Sequence, residues 1–265
     1  MTKPGLRNLE APVGSLSEYV DRIGEINDRH FRLRTATTHA WFRGQGSLDW
    51  PLTPRLYRPG CSPELERELN RDFRLFGSRY LDHLPGDEIE WLFVMQHHDV
   101  PTRLLDWTES HLVALFFAVE DASNSADAGV WALNPWILNK LVLEVDSVPL
   151  ASDPVFAGYR LGDPSLVERK ASAKLPAAVR PSRASARILA QRGAFTIHGS
   201  RNGGLWSMRF RKRFLVVVPI RADAKSRLRR ELHLAGIGRG TLFPDLAGLG
   251  AEISYRYSDD CMKHS

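Results

Sequence analysis

The spacing of apolar and polar residues predicts helices through the first third of the chain. Ser15 and Glu18 form an S-x-x-E capping pattern before a periodic stretch, which predicts a first helix over 16–28. Ser62 as the N-cap and Pro63 at the first helical position predict a second helix that extends to about residue 82. Apolar residues recur along it every three or four positions, which predicts one buried face. These residues are Leu65, Leu69, Phe73, Phe76 and Tyr80.

Two more apolar stretches predict buried helices on either side of a polar segment. The stretch "EIEWLFVMQHH" predicts a helix that ends before Pro101, because the residue preceding a proline avoids helical angles. Thr108 is the predicted N-cap of "ESHLVALFFAVEDA", which is apolar nearly all round and is therefore expected in the middle of a core. Residues 96–110 are then predicted to form a loop between the two helices.

Short runs rich in aromatic and β-branched residues predict strands. They are "THAWFRG", which ends at Gly44, "GVWAL" (129–133), "GAFTIH" (193–198) and "FLVVVPI" (214–220). Strands and helices in this mixture predict an α+β fold. We expect a single compact domain in which small mixed or antiparallel sheets pack against several helices.

The predicted organisation is one main domain with a short segment at each end. Residues 1–38 are expected to form an N-terminal helical segment, 39–258 the domain and 259–265 a tail. Residues 146–187 carry five prolines and little periodicity, so they are predicted to be an irregular insertion.

Composition is ordinary for a soluble globular protein, with 43% hydrophobic and 25% charged residues among 265. The apolar runs fall short of the ~20 residues that span a bilayer, and the N-terminus lacks a signal-peptide pattern. We therefore expect neither export nor a membrane partner. Cys61 and Cys261 alone do not suggest a disulfide framework, and a cytoplasmic location is expected.

The chain is mildly basic, with a formal net charge of +5 and a pI near 9.4. The stretches "SMRFRKRF" and "KSRLRREL" concentrate positive charge at 209–213 and 227–230. Such stretches could attract nucleic acid or another polyanion. The alternative is an ordinary solvated charged face.

The segment "WFRGQ" places Arg43 among residues that are usually buried. An arginine is almost never buried without a partner, and its five-donor fork suits a carboxylate or a phosphate. Arg43 is therefore expected to meet either an internal carboxylate or an anionic ligand. Gly44 permits a close backbone approach or a left-handed turn.

Residues 96–110 concentrate polar groups between two apolar helices, which is typical of a binding site. They include Gln96, His97, His98, Thr102, Arg103, Asp106, Trp107 and Thr108. The segment runs into a helix N-terminus, which favours an anion. In the alternative, Asp106 pairs with Arg43 or Arg103 and Thr108 only caps the helix. The adjacent histidines lack further ligands at a metal-site spacing, so no metal is expected.

A third segment, "ILAQRGAFTIHG", would place Gln191 and His198 near a sheet edge with Phe195 pointing inward. Several catalytic motifs are missing from the sequence. It has no G-x-S-x-G elbow, no phosphate-binding P-loop and no G-x-G-x-x-G between a strand and a helix.

Four segments together carry a family resemblance: "WFRGQ", "QHHDVPTRLLDWTESHLVALFFA", "QRGAFTIHG" and "GIGRGTLFPDLAGL". They resemble the FRG domain, a bacterial and phage-associated domain named after its Phe-Arg-Gly motif. The resemblance runs from about residue 39 to 250, and the second segment is its most specific part. It implies a role in bacterial defence or as a toxin. The chain departs from the family in "DLAGLGAEI", where an acidic residue tends to follow the first Leu.

The order of these motifs is similar to that of ADP-ribosyltransferases, which have an Arg- or His-bearing first strand and then a Ser/Thr strand leading into an apolar helix. A later segment carries a Glu or a substitute. This similarity implies that Arg43, Thr108 and Gln191 are catalytic and that the cofactor is NAD. The residues expected to bind it are Arg43, Gln45, His98, Thr102, Arg103, Asp106, Trp107 and Phe195.

Cleavage of NAD develops positive charge on the ribose, and a glutamine such as Gln191 cannot stabilise that charge as a carboxylate does. Asp106, Glu90 and Glu109 are candidate replacements. The expected function is NAD binding with ADP-ribosyl transfer or NAD hydrolysis. The alternative is a non-catalytic nucleotide- or nucleic-acid-binding module that uses Arg43, Arg103 and the two basic stretches.

Overall fold

The computed structural model describes most of the chain. It covers residues 11–32, 39–61, 63–160, 174–182, 185–200 and 204–257. The predicted N-cap Ser62 and the predicted tail 259–265 lie outside these residues.

The strands form one sheet, and the predicted α+β class is confirmed. The sheet is six-stranded, with the order β4-β5-β2-β1-β3-β6, and its neighbouring strands all pair antiparallel. The strands are β1 Trp41–Gln45, β2 Leu104–Thr108, β3 Ala128–Leu133, β4 Ala177–Val179, β5 Gly193–Ile197 and β6 Leu215–Ile220. One continuous sheet therefore replaces the several small sheets that the sequence suggested.

The sheet is split between its two central strands. β1 pairs with β3 from Trp41↔Leu133 to Gln45↔Gly129, and β2 pairs with β5 along its whole length. Between β1 and β2, in contrast, the only register pair is Phe42↔Thr108. The sheet thus consists of two halves, β4-β5-β2 and β1-β3-β6, which meet at one point and diverge beyond it.

Helices cover both halves of the sheet. They are α1 Leu16–Glu25, α2 Glu66–Gly77, α3 Glu88–His97, α4 His111–Val119, α5 Pro135–Val142, α6 Ala186–Ala190, α7 Lys225–Leu234, α8 Arg239–Leu242 and α9 Leu246–Arg256. A π-helical stretch, Ile26–Phe31, continues α1. Within these described residues, no helix has both the length and the apolar character needed to cross a membrane.

Gly44 allows α4 to pack directly against β1. A Cβ atom at this position would lie 1.9 Å from the Ala114 carbonyl oxygen and 2.6 Å from the Ala118 nitrogen. Its φ is not positive, so the close approach is the reason for the glycine, and the left-handed turn is not. As predicted, α4 lies in the middle of a core, where it packs with β1, β3, β6 and α7.

The predicted loop 96–110 contains a central strand, and the predicted N-cap of α4 is wrong. Thr108 is the last residue of β2, and its hydroxyl donates to the Gln191 carbonyl at 2.6 Å. Ser110 caps α4 instead, by accepting from the Val113 nitrogen at 3.4 Å. The polar neighbours of "LLDWT" concealed the strand, because five residues inside a polar segment show little periodicity.

The second predicted helix is also interrupted. A 3₁₀ turn precedes α2 and another, Ser78–Tyr80, follows it. The apolar stripe is only partly buried: Phe76 is 65% exposed and Tyr80 is 73% exposed. Leu69 and Phe73 alone among its five residues pack against the core.

The described parts of the predicted N-terminal segment and of the predicted insertion contact the rest of the fold. The region 146–187 contributes β4, an edge strand that pairs with β5, and a 3₁₀ helix, Pro154–Tyr159, that buries Phe156. At the N-terminal end, the Tyr19 hydroxyl donates to the His111 carbonyl at 2.8 Å, which ties α1 to the start of α4.

Candidate functional site

A cavity of about 550 Å³ opens where β1 and β2 diverge. Its walls come from β1 and the loop after it, from β2 and β5, and from α3, α4 and the α6 region. The lining residues are Phe42, Arg43, Gly44, Gln45, Gly46, Trp50, Pro51, Arg58, Phe93, Gln96, His97, Asp99, Asp106, Trp107, Thr108, Phe117, Arg187, Ile188, Gln191 and Phe195.

Arg43 bridges the two halves of the sheet. Its Nη1 donates to the main-chain carbonyl of Asp106 at 2.8 Å and lies 3.8 Å from the carboxylate of the same residue. The Arg43 Nε is buried without a hydrogen-bond partner among the described residues. The sequence left open whether Arg43 meets a carboxylate or a ligand. In the structure it contacts Asp106 and still has donor capacity beside the cavity.

The charge of Arg43 is only partly compensated. Burial lowers the pKa of Arg43, Asp106 acts in the opposite direction, and the charge of Arg58 lowers it further. An arginine keeps its proton in proteins, so this lowered pKa reflects the free-energy cost of burying the cation. An anion in the cavity would reduce that cost.

Asp106 is the carboxylate closest to Arg43, and it faces the cavity. It lies on β2, and its side chain is 51% exposed although its neighbours on the strand are buried. Gln96 Nε2 donates to Asp106 Oδ2 at 2.9 Å, and Thr102 donates to Gln96 Oε1 at 2.5 Å. The carboxylate is therefore held in place while one side remains open to a ligand.

Two further cations line the cavity. Arg58 lies in the loop between β1 and α2, where its Nε donates to the Thr53 carbonyl at 3.0 Å. Burial lowers the pKa of Arg58, while the charge of Asp106 raises it. Arg187 lies on α6 with its guanidinium 4.8 Å from the Phe243 ring centroid. Arg58, Arg187 and Trp50 were not predicted as site residues, because no motif or spacing in the sequence connects them to "WFRGQ".

Aromatic rings supply much of the remaining surface. Phe195 is buried against Phe93 at a centroid distance of 4.8 Å, in an edge-on arrangement. Phe117 reaches the cavity from α4, and Trp50, at its mouth, is 52% exposed. Trp107 belongs to the wall but is buried, and its Nε1 donates to Thr196 at 3.1 Å.

Gln45, Thr108 and Gln191 line the cavity with side chains that already have protein partners. Gln45 accepts from Trp131 Nε1 at 2.6 Å. The Thr108 hydroxyl joins β2 to the Gln191 carbonyl, and Gln191 Nε2 donates to the Leu242 carbonyl at 3.1 Å. These contacts position the wall of the cavity.

Three of the predicted NAD-binding residues lie outside the cavity lining. Arg103 forms a bidentate ion pair with the buried carboxylate of Glu66. The Thr102 hydroxyl donates to Gln96 and accepts from the Leu104 nitrogen. His98 ends α3, and its ring packs against Phe73.

Two histidines near these residues have lowered pKa values. His198 is fully buried behind the cavity, where burial and the charges of Arg43 and Arg103 lower its pKa to about 3. It follows β5, an interior strand, so the predicted position near a sheet edge is wrong. Burial and the charge of His98 lower the pKa of His97, which lines the cavity. Across the described residues, no three His, Cys, Asp or Glu side chains cluster as metal ligands would.

Comparison with known proteins identifies one family. Residues 38–127 match the family model described as the FRG domain, and this range includes "WFRGQ", β2 and α4. No curated protein and no solved structure matches the chain. The family match covers the cavity residues from Phe42 to Phe117, and it supports the predicted FRG resemblance over residues 38–127. The predicted segments "QRGAFTIHG" and "GIGRGTLFPDLAGL" lie outside the match, so the FRG domain is identified at residues 38–127.

Proposed function

We propose that this cavity binds NAD and that the protein transfers ADP-ribose from NAD to an acceptor or to water. The observation that carries the proposal is that Arg43, Thr108 and Gln191 all line one cavity. They are the three positions implied by the similarity to ADP-ribosyltransferases. A cavity of about 550 Å³ is within the size range of small-molecule and cofactor sites.

The cations of the cavity suit the pyrophosphate of a dinucleotide. Arg43 lies on β1 and Arg58 in the loop that follows this strand, and the charge of each is compensated mainly by the half-exposed Asp106. A guanidinium presents a planar fork of donors that matches phosphate oxygens. Arg187 adds a third cation to the lining. A pyrophosphate would bring the negative charge that these groups lack.

The aromatic residues suit the two bases of NAD. Nicotinamide carries a positive charge in NAD, and an aromatic face attracts a cationic ring. Phe117 and Phe195 offer such surfaces inside the cavity, and Trp50 offers one at its mouth. We assign nicotinamide to the inner rings, since they lie near Asp106 on the walls of the same cavity.

Asp106 is the group that we assign to the chemistry. When the N-glycosidic bond breaks, nicotinamide leaves with the bonding electron pair, and C1′ of the ribose becomes an oxocarbenium ion. A fixed carboxylate stabilises this developing charge. An acceptor oxygen or a water then bonds to C1′, and its proton passes to the carboxylate or to solvent. Glu109 is less suitable, because it is paired with Arg180.

Thr108 and Gln191 then act as positioning residues. Their side chains bond the main chain at the Gln191 and Leu242 carbonyls. The first bond fixes the end of β2 against the turn before β5, and the second attaches that turn to α8, beside the cavity. This changes the role implied by the motif order, in which both residues would touch the substrate.

The same bonds favour a second candidate, a nucleotide-binding module without turnover. If Thr108 and Gln191 do not reach the ligand, Arg43 and the candidate carboxylate Asp106 remain of the expected catalytic groups in the cavity. The cavity would then bind ADP-ribose or NAD and release it unchanged. Consumption of NAD, in contrast, would suit the role in bacterial defence or as a toxin that the FRG resemblance implies.

The test is nicotinamide release from labelled NAD by the full chain, with and without cell extract as a source of acceptors. We expect release by the wild-type protein and a loss of about 100-fold or more in Asp106→Asn, as for other charge-stabilising groups. The control is Asp146→Asn, which removes an exposed carboxylate that pairs with Lys140. NAD binding without nicotinamide release would favour the binding module, and no binding would contradict both candidates.

A further inference from the structure

The two basic stretches of the sequence differ in how their charges are compensated. In 227–230, Arg227 pairs with Glu231 at 3.5 Å and also donates to the Gly14 carbonyl. Arg229 lies 4.2 Å from the Tyr255 ring centroid. These contacts attach α7 to its neighbours, so much of the positive charge of this stretch is already paired within the protein.

The stretch 209–213 has no such compensation from the part of the chain that the structure describes. Within the described residues, Arg209, Arg211, Lys212 and Arg213 have no carboxylate within 4.0 Å. They lie at the 3₁₀ helix Arg211–Arg213 and just before it, and Arg209, Lys212 and Arg213 are exposed. Four uncompensated cations in five residues produce a strong local positive potential.

Aromatic rings alternate with these cations. The Arg211 guanidinium lies 4.5 Å from the Trp206 ring centroid, and the Arg209 guanidinium lies 5.5 Å from that of Phe210. Phe210 is 53% exposed, so its ring is accessible to a ligand beside these cations. Trp206, Arg209, Phe210, Arg211, Lys212 and Arg213 together form what we call the basic surface.

We propose that the basic surface binds single-stranded nucleic acid. Cations that follow the phosphates, together with aromatic faces on which bases stack, are the usual elements of single-strand binding. An acidic peptide would use the charges but would leave Phe210 without a stacking partner. In a duplex the bases stack on one another, so they would not be free to stack on Phe210.

The basic surface is close to the cavity without being part of it. Trp206 packs against Trp131 at a centroid distance of 5.2 Å. Trp131 is the register partner of Arg43 in β3, and its indole donates to Gln45 on the cavity wall. A strand bound at Trp206 would therefore be separated from Gln45 on the cavity wall by the side chain of Trp131. Binding of a strand to the basic surface does not require the NAD reaction. If ADP-ribose is transferred in the cavity, the bound strand is a neighbouring acceptor.

The test measures binding of fluorescent single strands, oligo(dT) and oligo(U), to the full chain without NAD, by anisotropy at several salt concentrations. Each phosphate contact contributes about −0.7 to the slope of log K against log salt. Lys212→Ala and Arg213→Ala should each make the slope shallower by about that amount. The matched control is Arg230→Ala, an exposed arginine of the other basic stretch, which should leave the slope unchanged.

The aromatic contribution is tested with Phe210→Ala. Loss of one stacked base should weaken binding by about five-fold or more. The matched control, Phe76→Ala, removes another exposed phenylalanine from α2 and should have no effect. Circular dichroism confirms the fold of each variant.

Three outcomes would overturn the proposal. The first is that the single strands do not bind at low salt. The second is that Phe210→Ala, Lys212→Ala and Arg213→Ala all bind them as the wild-type protein does. The third is that duplex DNA, polyglutamate or vesicles with anionic lipid bind equally well or more tightly. Preference for oligo(dT) or for oligo(U) identifies the natural strand. The Arg43→Ala variant should retain strand binding even if NAD binding is lost, so failure of one proposal does not entail failure of the other.

Discussion

Arg43 and Arg103 are both largely buried arginines, with side chains 18% and 15% exposed, from segments that resemble the FRG family, yet their surroundings differ. Arg103 has a bidentate ion pair with Glu66, whose side chain is 2% exposed. Arg43 has a main-chain carbonyl and the half-exposed carboxylate of Asp106 at 3.8 Å. The first environment is closed within the protein, whereas the second opens into a cavity.

The difference separates an arginine that is paired inside the protein from one that lines a cavity. An arginine saturated by an internal carboxylate contributes to the fold, because its donors and its charge are already paired. Arg43 has an unpaired buried Nε and an incompletely balanced charge, so an anion beside its guanidinium would reduce the free-energy cost of burying it. Both residues were expected to bind NAD on sequence grounds, and only Arg43 of the two lines the cavity that we propose as the NAD site.

The largest predicted effect is the difference in the free energy of unfolding between variants that lack the carboxylate beside Arg103 and the carboxylate beside Arg43. Glu66→Ala leaves the Arg103 charge buried without a partner and should lower the free energy of unfolding by about 3–5 kcal/mol. Asp106→Ala removes a half-exposed carboxylate and should cost about 1 kcal/mol or less. Urea denaturation of the two variants measures both values. Similar losses in the two variants would contradict the contrast between a closed and an open environment.

A smaller predicted effect concerns His198, whose pKa both arginines lower. The folded protein holds this histidine neutral to about pH 3, whereas an unfolded chain protonates it near pH 6.5. The unfolded state therefore binds the extra proton, and stability should fall as the pH decreases below about 6.5. Protonation of His198 in the unfolded chain lowers the free energy of unfolding by up to about 1.4 kcal/mol for each pH unit.

The measurement for His198 is the free energy of unfolding between pH 4 and pH 8 for the wild-type protein and for His198→Gln. Glutamine retains an acceptor for Thr196, which lies 3.2 Å from His198 Nε2. The free energy of unfolding of the variant should decrease less steeply at low pH than that of the wild-type protein. Parallel curves would show that His198 is not held neutral in the folded protein.

Much of the fold could be predicted from the sequence, because strong local signals agree with the final contacts. The four predicted strands all occur, and α3 and α4 are buried as their apolar composition indicated. The predictions failed where tertiary contacts override local pattern. β2 lies in a polar segment, and β4 is three residues long within a proline-rich region. Both become strands because β5 lies between them.

The candidate site was predictable only in part. Arg43, Asp106 and Gln191 stand in segments with a family resemblance, and the structure brings them to one cavity. Arg58 and Arg187 depend on how a loop and a short helix fold back over the sheet, and no periodicity encodes that. The ion pair of Arg103 with Glu66 joins residues 37 positions apart, so the sequence could not distinguish Arg103 from Arg43.

The measurement that tests the account most directly is the calorimetric affinity of ADP-ribose for the wild-type protein and Arg43→Met. Methionine retains apolar volume but removes the guanidinium, and loss of charge-assisted hydrogen bonds should weaken binding by about 10-fold or more while the fold is retained. Asp146→Asn serves as the control. Wild-type affinity in Arg43→Met, or a wild-type protein that does not bind ADP-ribose, would contradict the claim that Arg43 and its cavity form an anion-binding dinucleotide site.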